Sequence, residues 1–155
     1  MHCFTDTLNR TWSLVVNVSS IKRVRALCNI DLSSIISLDS NGKVNVELLE
    51  KIANDPVLLV DIIYALVKPE ADSKGVSDES FGASMAGDCI ETATEALLEE
   101  IIDFFPETKR KVLHKIVETT KRFNLQAKKS VETILANPEL DTQINEELKH
   151  LSTLS

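Results

Sequence analysis

Glycine is scarce in this 155-residue chain: four occur, and no two are adjacent. That excludes the glycine-rich loops that cradle phosphates, and with them the nucleotide-binding motifs built on such loops. No Gly-x-Ser-x-Gly nucleophile elbow occurs either. Cysteine is nearly as rare. Cys3, Cys28 and Cys89 lie far apart, and an odd count without Cys-x-x-Cys spacing makes no disulfide framework. They read as small buried hydrophobes in a reducing compartment. Cys89 follows Gly87-Asp88 near a helix start, where a thiolate is favoured, yet a packed core residue is the commoner outcome. Long apolar runs are missing as well. None approaches the ~20 residues needed to span a bilayer, and Met1 to Arg10 lacks the apolar segment of a secretory signal. The expectation is a soluble protein that stays in the cytosol.

What is present suits one domain with an appendage: 43% hydrophobic and 26% charged residues. The net charge of −7 disfavours nucleic acid and anionic membrane as partners. Charge is unevenly placed. Lys68 to Glu107 holds eleven acids against two lysines, whereas Lys109 to Lys129 holds eight Lys or Arg against one acid. Such asymmetry points to a charged partner or to two blocks facing each other within the fold. The basic run Lys109-Arg110-Lys111 has no interleaved aromatics and no helix-turn-helix pattern, so no nucleic-acid role follows from it.

Periodicity predicts a mainly α fold: a helical bundle with a short N-terminal β-hairpin and a long C-terminal helix. Around Trp12 and Leu14 the apolar positions alternate at the strand period of two. Two short strands about the polar stretch Asp6 to Arg10 form a hairpin that must pack on a body to be stable. Ser19 or Ser20 caps a helix over Ile21 to Leu27, and Asp31 caps a short turn holding Leu32, Ile35 and Ile36. Ser40-Asn41-Gly42 reads as a turn and Asn45 as the cap of a helix to Ala53. Asp55-Pro56 starts a helix apolar nearly all round, which is expected to end at Val67 because Pro69 disfavours helix at the residue before it. Ser77 caps a further helix. Asp88 to Phe105 is the strongest helical segment, with Ile90, Ala93, Leu97, Ile101 and Phe104 on one stripe. From Pro106 a stripe of Val112, Ile116, Phe123, Ala127, Val131 and Leu135 continues to Asn137-Pro138. A helix that long breaks near Asn124 or projects from a domain of this size. The expected organisation is a hairpin and helical core over 1–106, a long basic helix over 107–137, and a polar tail over 138–155 with a frayed helix around Ile144 to Leu151.

No catalytic constellation is evident. His2 is terminal, His114 lies among lysines and His150 in the tail. Glu147-x-x-His150 has the spacing of a carboxylate-bridged metal pair but lacks the second pair and the further glutamates such sites need. No metal and no cofactor are expected, and the protein is expected not to be an enzyme. The most informative charge feature is a ridge of Glu91, Glu95, Glu99 and Asp103, one every four residues. Like charges at that spacing cost roughly 0.2–0.5 kcal/mol per pair. A solvated face, pairing with Lys111, Lys115 and Arg122, and a partner's basic surface all remain open.

The stretch from Asp55 to Phe105 resembles the tail assembly chaperones of long-tailed bacteriophages. The similarity lies in the apolar helix ending Ile62-Ile63-Tyr64-Ala65-Leu66-Val67, the charged Lys68-Pro69-Glu70-Ala71, and the cap Val76-Ser77-Asp78-Glu79 with Phe81-Gly82 one turn on. The long helix through Ala93, Ala96, Leu97 and Leu98 completes it. Phe4-Thr5-Asp6, Arg10-Thr11-Trp12 and Ile21-Lys22-Arg23-Val24-Arg25 are similar to small phage tail-module proteins. The resemblance implies a protein of the host cytoplasm that coats the helical, apolar tape-measure protein and recruits tail-tube subunits. It also implies a longer frameshifted form in some members. A structural tail or virion adaptor, or a small regulator binding a host protein, are the alternatives. The partner-binding residues expected on this reading are Tyr64, Phe104 and Phe105, the ridge Glu91, Glu95, Glu99 and Asp103, and the basic block Lys109, Arg110 and Lys111. Self-association through the apolar Asp55 to Phe105 segment is expected too.

Overall fold

Trp12 needs cover on every side, and the hairpin that carries it is built to supply some of it. The computed structural model of the chain describes residues 1–153, the side chain of Asn124 excepted. Strands β1 (His2–Thr5) and β2 (Thr11–Leu14) pair antiparallel, with Phe4 opposite Trp12 and His2 opposite Leu14. The alternation places Phe4, Trp12 and Leu14 in the core. Asp6 holds the connection together. Its carboxylate accepts from the Leu8 and Arg10 amides, from Arg10 Nε at 2.8 Å, from Trp12 Nε1 at 2.9 Å and from the Ser84 hydroxyl at 3.2 Å. Burial pushes this carboxyl up, but the hydrogen bonds from Trp12, Arg10 and Leu8 outweigh burial and hold its pKa at about 2.

Helix α1 (Val18–Cys28) is capped by Asn17, with Ser20 returning the bond as a capping box. A short 3-10 turn over Leu32–Ser34 is capped by Asp31, as its sequence predicts. A second small hairpin follows, β3 (Ser37–Leu38) with β4 (Val44–Asn45), around the Ser40-Asn41-Gly42 turn. Neither strand was expected, since two-residue strands leave no periodic trace. Helix α2 (Glu47–Asn54) leads into α3 (Pro56–Lys74) through the Asp55 cap.

Helix α3 corrects one expectation. It does not stop at Val67 but continues through Pro69 to Lys74 and ends on Gly75, whose left-handed φ of 67° suits a C-cap. Proline in a helix interior removes an N–H and orphans the carbonyl four residues back. Here that carbonyl belongs to Ala65, and Arg23 of α1 supplies the missing donor. Arg23 Nη1 lies 3.1 Å from Ala65 O and 3.0 Å from Leu66 O. A partner 42 residues away in sequence thus makes Pro69 tolerable.

Helix α4 (Asp78–Ala83) is capped by Ser77 and presents Phe81 to Trp12, edge to face at 5.2 Å. Helix α5 (Asp88–Phe104) packs on β1, while α3 packs on α1, α2, α4, α5 and β2. These neighbours cover most of the apolar surface of α3: Leu59, Ile62, Ile63, Ala65, Leu66 and Val67 are all buried. Helix α6 (Glu107–Leu135) is continuous through position 124, and α7 (Pro138–Thr153) replaces the expected polar tail with a nearly full-length helix. The fold is therefore mainly α with an N-terminal hairpin. Two compact units divide it, Met1–His114 and Lys115–Ser155. Among the described residues, no helix is long and apolar enough to cross a membrane.

Candidate partner-binding surface

The apolar surface expected around Asp55 to Phe105 is mostly core. Phe105 is buried and stacks edge to face with half-buried Phe104 at 5.2 Å. Tyr64 is half-buried, tilted against Phe81 at 5.5 Å, with Lys68 near its other face. Val57 alone of the α3 aliphatics is well exposed, at 70%. The reason is the enclosure of α3 by its neighbours, which uses the apolar faces that a partner was expected to fill.

Tyr64 instead helps to line an open cleft of about 380 Å³ with Leu27, Cys28, Leu58, Asp61, Ala65, Lys68 and Asp78. Burial, then repulsion from Asp78 and Asp55, pushes the Asp61 carboxyl up. Burial, then the Asp61 and Asp78 charges, also raises the Cys28 thiol. Cys28 Sγ donates to the Asp61 carbonyl at 3.4 Å. A thiol held protonated, in a lining without histidine, is an inert group and not an activated nucleophile. Cys89 likewise donates to the Ala86 carbonyl at 3.1 Å.

All four ridge carboxylates are exposed on α5. Two of them meet a residue set aside as terminal. His2 Nε2 lies 3.0 Å from Glu99, and Nδ1 lies 2.7 Å from Glu100 and 3.9 Å from Asp103. Glu100 is buried. Burial raises its carboxyl, but the His2 bond, the nearby terminal ammonium and the Val16 amide outweigh this and hold it below the usual range. His2, Glu100 and Asp103 are the one described trio with ligand atoms close enough, within 4.8 Å, to hold a metal ion. Both ring nitrogens already face carboxylates, so the cluster is closed by its own contacts. Sequence reasoning missed Glu100, although a carboxylate one residue before Ile101 on the apolar stripe was a usable signal. The basic block takes other partners: Lys111 pairs with Glu107 at 2.9 Å, Lys109 sits over the Phe105 ring at 5.8 Å, and Arg110 is exposed.

Exposed apolar side chains of the first unit, such as Leu8, Leu38 and Val57, lie on separate elements, whereas those of the second form continuous helical stripes. On α6, Phe123 is 71% exposed, and Val131, Ile134 and Leu135 are each more than half exposed. With Ala127 they fall on one stripe at spacings of three and four. Helix α7 repeats the arrangement with Ile144, Leu148 and Leu151, all exposed, and half-buried Leu140. The Phe123, Ala127, Val131 and Leu135 positions were legible as a stripe; that nothing covers them was not. No protein-family model matches the chain, and no characterised protein or solved structure matches it either.

Proposed function

We propose that this protein is a non-catalytic helix-binding factor of the tail assembly chaperone kind. It acts in the host cytoplasm, holds apolar helices of a tape-measure protein, and brings tail-tube subunits to them. The observation that supports this reading is the pair of exposed apolar stripes on α6 and α7. A run of exposed Phe, Val, Ile and Leu at helical spacing is the surface that helix-in-groove recognition uses, and contiguous exposed apolar surface marks interaction sites. An elongated tape-measure chain offers helices of that character until the tube encloses it. Basic residues beside the α6 stripe and acids beside the α7 stripe steer the encounter and set its salt dependence.

Co-expression with a tape-measure fragment tests the reading. The fragment is expected to copurify with the full chain and to stay soluble in its presence. Phe123→Asp combined with Val131→Asp is expected to abolish capture while helical content is retained, since both side chains are exposed in the free protein. A wild-type protein that ignores tail proteins, or a double variant that captures them as well as wild type, overturns it.

A further inference from the structure

The two apolar stripes of the second unit are matched to each other in length, in charge and in area, yet within one chain they do not cover each other. Phe123, Val131 and Ile134 on α6 and Ile144, Leu148 and Leu151 on α7 stay between 47% and 71% exposed. We propose that a second copy of this chain covers them, with α7 of each copy lying along the α6 stripe of the other. The inference rests on the reading that these faces bind helices, and it names the first helix they bind.

Length is the first argument. Phe123 to Leu135 spans twelve helical steps and Leu140 to Leu151 eleven, about 18 and 17 Å at 1.5 Å per residue. Charge is the second. Lys115 to Leu135 carries five Lys or Arg against two Glu, whereas Pro138 to Thr153 carries four acids against one Lys. Two copies of α6 side by side repel, as do two copies of α7, but α6 against α7 attracts. The charge pattern therefore selects the exchanged pairing over a like-with-like one. Lys121 and Lys128 flank the α6 stripe by helical spacing, and Asp141 and Glu147 flank that of α7.

Area is the third argument. From the transfer energies of Phe, Val, Ile and Leu, the exposed parts of these side chains offer on the order of 400 Å² of apolar surface per copy. A standard interface buries about 800 Å² per partner, a little over half of it apolar, so the two stripes are near the size a stable dimer needs. The self-pairing would store the apolar faces away from water until a partner helix displaces one copy.

The test mixes two variants of the full chain. Lys121→Glu with Lys128→Glu makes α6 acidic. Asp141→Lys with Glu147→Lys makes α7 basic. Each variant alone opposes like charges across the contact and is expected to be monomeric by light scattering, whereas wild type has twice the monomer mass. An equimolar mixture restores both complementary contacts between copies and is expected to recover the doubled mass. Helical content by circular dichroism is expected to be unchanged, since the four side chains are exposed. A wild type that stays monomeric at about 100 µM, above the weakest affinities of interfaces this size, overturns the proposal. So does a mixture that stays monomeric, the result expected if α7 folds back on its own α6. A monomeric wild type that still captures a tape-measure fragment overturns the self-pairing and leaves the helix-binding function standing.

Discussion

The two units draw on the same helical vocabulary and use it in opposite ways. In Met1–His114 the apolar positions of α3 from Leu59 to Val67 are largely covered by α1, α2, α4, α5 and the hairpin. In Lys115–Ser155 the stripes are narrower and cleaner, and their side chains lie in water. Periodicity reports that a helix has an apolar face. It does not report whether the same chain supplies the cover. The first unit covers most of its apolar helix with its own elements; the second presents surface.

The largest test of this contrast is a pair of phenylalanine deletions. Phe105→Ala removes a buried ring from the first unit and is expected to cost about 3–5 kcal/mol by urea denaturation, with Trp12 fluorescence as the probe. The same substitution at an exposed ring of the second unit should cost almost nothing. A cost below about 1 kcal/mol at Phe105 would mean that its ring is not part of a well-packed core.

Next in size is the acid response of the first unit. Asp6 is buried with its pKa lowered to about 2, against an ordinary value of 3.8. A depressed carboxyl stabilises the fold above its unfolded pKa, and that stability drains away as pH falls through the folded pKa. The window is therefore about pH 4 down to pH 2, and the loss is about 2 kcal/mol. Asp6→Asn is expected to be less stable than wild type at pH 7, with a flatter profile below pH 4. Urea midpoints of the two proteins from pH 7 to pH 2 check it. Parallel profiles would remove Asp6 from the account of acid sensitivity.

Much of the first unit was legible because its signals are local. Asp31, Asp55 and Ser77 cap the helices expected of them, and the Trp12 alternation is a hairpin pattern, whereas α1 starts at an Asn17 cap and not at Ser19 or Ser20. What failed was long-range. Pro69 reads as a stop because nothing near it in sequence replaces the lost hydrogen bond; the donor, Arg23, lies on another helix. Glu100 and His2 are 98 residues apart, so neither marks the other. The apolarity of Tyr64, Phe104 and Phe105 is visible in the sequence, whereas their cover by neighbouring elements is not.

The Pro69 explanation predicts a smaller, reversible effect. Arg23→Met leaves the Ala65 carbonyl without its donor and is expected to cost about 1–3 kcal/mol. Pro69→Ala restores an N–H four residues on, so Arg23→Met should cost less in that background. A double-mutant cycle by urea denaturation measures the difference. Equal costs in both backgrounds would show that Arg23 acts through some other contact.

The smallest expected effect is also the sharpest test of the contrast. Phe123 is 71% exposed, so Phe123→Ala removes little that folding has buried. For an isolated chain the change should lie within about 0.5 kcal/mol of zero, as for other exposed positions. That expectation holds at protein concentrations low enough to keep copies apart. If a second copy covers the stripe, the wild type gains stability by mass action as its concentration rises, and the variant gains less. The difference between the two proteins should therefore start near zero at low concentration and widen with each tenfold increase. Thermal unfolding followed at several concentrations reads this directly. A constant difference of about 3 kcal/mol would mean that Phe123 belongs to a core after all. A difference that stays near zero throughout would leave the stripe open to a foreign helix and remove the second copy as its cover.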